Sequence, residues 1–155
     1  MSVLKHVLEI YLENAQAFDE IWMLMACSPL IRARDYINAS QLLDSTKGDK
    51  ALLAVAEYPV PIQWAFRISD KEGVLQPVQP GAFAIRSQDL EKSYFDAGAF
   101  SAFPVDQVLG SEGAGADNAF IGFPLEKDQV VDIDEEADWK LAEALYRSRR
   151  LSNSQ

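Results

Sequence analysis

The sequence is short of several residue types on which much protein chemistry depends. Its 155 residues include one cysteine, Cys27. That excludes a disulfide within the chain and any Cys-x-x-Cys pair for zinc or redox work. One histidine, His6, excludes a histidine-rich metal site and leaves a Ser-His-Asp triad a single candidate base. Basic residues are few: 14 Lys and Arg stand against 24 Asp and Glu, a net charge of −10. Such a chain lacks the cationic footprint that neutralises nucleic-acid phosphates, so no nucleic-acid partner is expected. No apolar run approaches the roughly 20 residues a bilayer requires. The longest, Ile21 to Cys27, has seven. The opening residues MSVLKHVLEIYLENAQ have no long apolar centre and no small-residue cleavage site, so they do not read as a signal peptide. A cytoplasmic protein without a membrane partner is expected.

What remains is ordinary globular composition, 48% hydrophobic and 10% aromatic. The length is that of one domain, expected over 1–150 with a frayed tail at 151–155. Val3, Leu4, Val7, Leu8, Tyr11, Leu12 and Ala15 recur at three- and four-residue steps and predict an amphipathic helix, with Ser2 as its N-cap. Asp19 to Ala26 is apolar on both faces, as in a central parallel strand covered by helices. A helix follows over about Asp35 to Leu43, then a buried strand from Ala51 to Pro59. IQWAFRIS, the turn Asp70 to Gly73 and VLQPVQP predict a hairpin or ribbon, with Pro77 and Pro80 arguing against a central strand. Asp96 to Pro104 is a strand, Gln107 to Asn118 a glycine-bearing loop, and NAFIGFPL a short strand. QVVDID is expected to be a last strand running into the helix EEADWKLAEALYRSRR. Strands alternating with helices predict an α/β fold of three layers with a mostly parallel sheet.

Asp132-Ile133-Asp134 is the sharpest local feature. If Val131 and Ile133 face the core, both carboxylates point the other way. Magnesium uses one or two such oxygens and completes its octahedron with water and phosphates. Acidic residues also crowd the first turn of helices, where Asp134, Glu135, Glu136 and Asp138 suit the macrodipole; spacing alone favours that reading. Ser28-Pro29, with Arg32 and Arg34 following, lies past the carboxyl end of a strand, where open α/β sheets bind ligands; the residues alone favour a plain loop with a helix start. Arg86, Gln88 and Asp89 form a polar segment suited to carboxylate recognition or simply to solvent. The glycines at 110, 113 and 115 do not make a phosphate loop, because Glu112 and Asp117 accompany them and no Lys or Arg does. His6 reads as a surface residue, Cys27 as a small buried filler, and Arg147, Arg149 and Arg150 as cations at a helix C-terminus.

Four segments together resemble one family. They are MLMACSPL (Met23 to Leu30), YPVPIQWAF (Tyr58 to Phe66), RSQDLEKSYFDAGAF (Arg86 to Phe100) and VVDIDEEADWKLAE (Val130 to Glu143). In order and spacing they are similar to the acylneuraminate cytidylyltransferases, enzymes that activate nonulosonic (sialic-type) acids, and most of all to the pseudaminic acid branch. The resemblance implies a nucleotide-diphospho-sugar transferase-like fold and transfer of a cytidylyl group from CTP to a nonulosonic acid. It implies Mg2+ on Asp132 and Asp134, which reverses the preference from spacing. It implies Arg86, Gln88 and Gln63 on the sugar acid, Asp96 and Gly98 shaping the sugar pocket, and Ser28 near the nucleotide base.

The sequence also departs from that pattern. The family's opening loop, of the form Ala-Arg-Gly-Gly-Ser-Lys, does not occur in these residues. The chain therefore reads as lacking the first two β-α units, and a homodimer or a separate N-terminal segment is expected beside the strand at Ile21 to Ala26. Met25, Ala26, Cys27 and Trp64 replace family residues. A non-catalytic remnant or interaction module of the same fold is the alternative.

Overall fold

A computed structural model describes residues 2–69, 73–110 and 120–152. They form two compact units, one of Met1–Val55 with Asp96–Gln155, the other of Ala56–Phe95. The turn residues 70–72, the glycine-rich stretch 111–119 and the last three residues of the expected tail lie outside the described residues.

The first unit is built on a sheet of strand order β1-β5-β2-β6. Its strands are β1 (Glu20–Leu24), β2 (Ala51–Glu57), β5 (Tyr94–Pro104) and β6 (Phe120–Pro124). β2 and β6 are parallel, Ala51 opposite Phe120. β1 and β5 are antiparallel, Glu20 opposite Pro104 and Leu24 opposite Phe100. The sheet is thus mixed, which corrects the mostly parallel expectation. Parallel neighbours need a long crossover, usually a helix. Among the described residues of 58–93 there is no α-helix, and β5 re-enters the sheet antiparallel to β1.

β1 is also not central. Among the described residues it is an edge strand with β5 as its neighbour, and Met23, Leu24 and Met25 are exposed. Its two apolar faces misled the sequence reading, because side-chain character does not report how many strands flank a backbone.

The helices are α1 (Ser2–Glu13), α2 (Ala33–Ser45), α3 (Val105–Leu109) and α4 (Glu136–Ser152). α1 already includes Ser2, so that residue does not stand before the helix as its cap. α1 places Leu8 with Ala51, Phe103, Val105 and Val108, with Ile21 and Phe120 packed against them. Tyr36 of α2 meets Trp22 and Phe100, and Phe100 meets Phe123. Residues of opposite parity on β1 and β5 therefore serve α1 and α2, as a period of two requires. Residues 107–109, expected in a loop, belong to α3.

α4 packs its Ala142 and Leu145 with Leu30, Val131 and Ile133. Its far end is anchored by Arg149, whose Nε donates to Asp128 Oδ2 at 2.6 Å and whose Nη1 donates to the Leu30 carbonyl at 2.9 Å. Arg32, 3.2 Å from Glu126 and 3.7 Å from Asp128, joins the same network. Arg149 is thus a structural anchor as well as a cation at a helix end. Among the described residues, no helix is long and apolar enough to cross a membrane.

The second unit carries the expected hairpin, β3 (Phe66–Ser69) against β4 (Val74–Pro77), Phe66 opposite Pro77 and Ile68 opposite Leu75. Gly73 has φ +69°, the left-handed conformation the turn needs. Trp64 Nε1 donates to the Ala82 carbonyl at 3.0 Å and packs its ring on Phe83.

Candidate functional site

Three distant segments meet at the C-terminal end of β1. The first is the turn after that strand. Ser28 is buried, 8% exposed, and its Oγ donates to the Gly98 carbonyl at 2.8 Å. The second is a bend in β5. Gly98 has φ +60°, and its N–H donates to Asp96 Oδ1 at 2.9 Å. The third is residues 130–134. QVVDID was expected to be a strand, but Val130 to Asp134 joins no strand ladder. Its backbone tie is Ile133 N–H donating to the Cys27 carbonyl at 3.1 Å. The alternation holds without strand pairing: Val131 is buried and Ile133 half-buried, while Asp132 and Asp134 are exposed.

Asp132 reaches the bend. A Cβ on Gly98 would lie 3.2 Å from Asp132 Oδ2, so the absence of a side chain there is what leaves room for the carboxylate. Cys27 is beside it. Hydrogen bonding to the Asp132 carboxylate, and then burial, hold the thiol above its ordinary pKa. Cys27 is half-buried and engaged with an acid, not a sequestered filler. The structure thus brings Ser28, Asp96, Gly98 and Asp132 together.

Asp134 stands at the start of α4. There the Asp138 carboxylate accepts the Asp134 N–H at 3.2 Å and the Glu135 N–H at 2.9 Å. The capping reading of the acidic cluster is correct for Asp138, and those two helix-end donors are engaged by it. It does not account for Asp132, which precedes the helix and turns to Gly98.

The donor set suits a hard cation. Asp132 and Asp134 offer only carboxylate oxygen, both are exposed, and Asp132 Oδ2 reaches the open side of Gly98. No cluster of three His, Cys, Asp or Glu side chains forms a closed cage among the described residues. An open set of one or two carboxylates is what Mg2+ uses when phosphates and water complete its shell.

Arg86, Gln88 and Gln63 belong to the Ala56–Phe95 unit. Arg86 is exposed and closes its guanidinium on Asp89, Nε to Oδ2 at 2.9 Å and Nη2 to Oδ1 at 3.3 Å. Gln88 lines a cleft of about 280 Å³ with Tyr58, Pro61, Glu91, Lys92 and Ser93. Gln63 Nε2 donates to the Glu91 carbonyl at 3.2 Å, and its Oε1 is buried without a hydrogen-bond partner among the described residues. Lys92 pairs with Glu57 at 2.8 Å, which raises its pKa. Sequence reasoning missed Lys92 in this cleft, and missed Cys27 as a neighbour of Asp132. Nothing local marks either, since the partners are 35 and 105 positions away.

No protein-family model matches the sequence. Two curated proteins do. Both are named pseudaminic acid cytidylyltransferase, from Campylobacter jejuni subsp. jejuni serotypes O:2 and O:23/36. Each is 30% identical over 152 residues, which covers 94% of this chain and 62% of the relative. The chain is similar to these two proteins over nearly its whole length and spans 62% of the length of the curated relatives it matches.

Proposed function

We propose that this chain forms the metal- and sugar-binding part of a cytoplasmic cytidylyltransferase acting on a nonulosonic acid of pseudaminic or sialic type. In that reaction the anomeric oxygen of the sugar acid bonds to the α-phosphorus of CTP. The bond from that phosphorus to the bridging oxygen breaks, pyrophosphate leaves with the electron pair, and the hydroxyl proton passes to solvent. Magnesium, when bound, neutralises triphosphate charge and polarises the α-phosphoryl group.

The chain's own residues divide the remaining work. Asp132 and Asp134 hold the metal. Asp96 and Gly98 shape the floor on which the sugar sits, with Gly98 admitting close backbone approach. Arg86 offers its planar fork to the sugar carboxylate, and Gln88 and Gln63 offer amides to its hydroxyls. Ser28 lies on the nucleotide side. The observation that supports the reading is the approach of Asp132 to side-chain-free Gly98, which joins two of the resembling motifs 34 positions apart.

Pyrophosphate release from CTP, Mg2+ and pseudaminic acid tests it, with and without a polypeptide carrying the family's phosphate loop. Release in either mixture supports the reading, and none in both overturns it. The competing reading, a non-catalytic interaction module, is favoured by Trp64 where the family carries Arg. Magnesium-dependent CTP binding counts against it.

A further inference from the structure

We infer that Ser28 and Gly98 are positioning residues for the Asp132 carboxylate, and that Ser28 acts through its hydrogen bond to the Gly98 carbonyl and not by touching the nucleotide. The inference rests on the proposal that Asp132 holds the metal, and assigns the residues that aim it.

The argument is geometric. A left-handed residue in the middle of a strand is uncommon, and Gly98 sits there at φ +60°. Both peptide groups that flank it are pinned. The one before gives its N–H to Asp96 Oδ1 at 2.9 Å, and the one after receives the Ser28 hydroxyl at 2.8 Å. The bend cannot rotate without breaking one of these. Its open side faces Asp132, whose Oδ2 lies 3.2 Å from the point a Cβ would occupy.

The Asp132 backbone is pinned from the same turn that carries Ser28. The peptide joining Asp132 to Ile133 donates to the Cys27 carbonyl at 3.1 Å. Residues 27 and 28 therefore fix Asp132 twice, once through its main chain and once through the glycine that makes room for its side chain. Ser28 is buried and its hydroxyl proton is committed to Gly98, so recognition of a base by that hydroxyl is a poorer use of it. Partners that orient a metal-binding carboxylate typically alter metal affinity by tenfold or more.

The test is calorimetric titration of Mn2+, in the presence of CTP, into the full chain and its variants, with thermal melting alongside. Ser28→Ala and Gly98→Ala are expected to weaken Mn2+ on the order of tenfold. Ser28→Thr, which keeps the hydroxyl, is expected to restore affinity. Asp132→Asn is expected to abolish binding. Wild-type affinity in a folded Ser28→Ala protein, with Asp132→Asn defective, overturns the positioning role alone. Wild-type affinity in Asp132→Asn overturns the metal assignment and the inference with it. Equal weakening in Ser28→Ala and Ser28→Thr also counts against the role assigned to the hydroxyl.

Discussion

Arg149 and Asp128 form a 2.6 Å ion pair that ties the far end of α4 to the turn before residue 130. The pair is asymmetric in burial: the arginine side chain is 17% exposed and the carboxylate 40%. Arg149 also donates to the Leu30 carbonyl, so one side chain joins three segments. Arg149→Ala is therefore expected to lower unfolding free energy by about 2 kcal/mol, the range for hydrogen bonds to charged groups. Urea denaturation measures this. A change within about 0.5 kcal/mol, as for an ordinary surface site, would show that apolar packing alone seats the helix.

The same pair gives a pH dependence. Hydrogen bonding to Arg149, with the nearby charges of Arg149 and Arg32, holds the Asp128 carboxyl below its usual range. A depressed folded-state pKa adds stability that is fully present above the unfolded value near 3.9, and that is lost as pH falls through the folded value. Asp128→Asn is expected to be less stable than wild type at pH 7, with the gap closing as pH falls from the unfolded value near 3.9 through the lower folded value. A gap of constant size across that window would contradict the assignment.

Arg86 meets its expected substrate role already paired with Asp89. The pair is exposed, and such pairs contribute about 0–1 kcal/mol, so a substrate carboxylate can displace Asp89 at little cost. Asp89→Asn is expected to leave melting unchanged and to lower KM for the sugar acid about threefold, near 0.7 kcal/mol. Arg86→Ala is expected to raise that KM roughly thirtyfold, the worth of a charge-assisted pair near 2 kcal/mol. Identical KM values in all three proteins would remove Arg86 from the site.

Among the described residues β1 pairs with a strand on one side alone, and Met23, Leu24 and the following Met25 are exposed. Open apolar edges recruit further strands. By itself the 155-residue chain is expected to exceed monomer mass by light scattering at concentrations on the order of 10 μM, which corresponds to about −7 kcal/mol. Leu24→Lys is expected to return it to monomer. A wild-type monomer at that concentration would contradict the prediction.

Much of this architecture was legible from periodicity. α1, α2, β2, β5, β6 and α4 all follow the apolar spacing, and Gly73 marked the hairpin. Two failures share one cause. β1 read as central and QVVDID read as paired because side-chain alternation reports which face is buried, not whether a neighbouring strand is present. The site was legible in its residues but not in its joinery. Ser28 and Gly98 are 70 positions apart and Arg149 and Leu30 are 119 apart, and no local rule predicts such partners. Spacing alone assigned the whole acidic run to capping. Asp138 does cap, whereas Asp132 is drawn away by a glycine far along the chain.

The central claim is that Asp132 and Asp134 hold a divalent ion for a nucleotide, and CTP affinity measured with and without Mg2+ tests it most directly, in wild type and Asp134→Ala. The account predicts binding that requires Mg2+ in wild type and is lost in the variant, with melting unchanged. Unaltered CTP affinity in Asp134→Ala, together with stability lower by about 1 kcal/mol as for a weakened helix start, would contradict it.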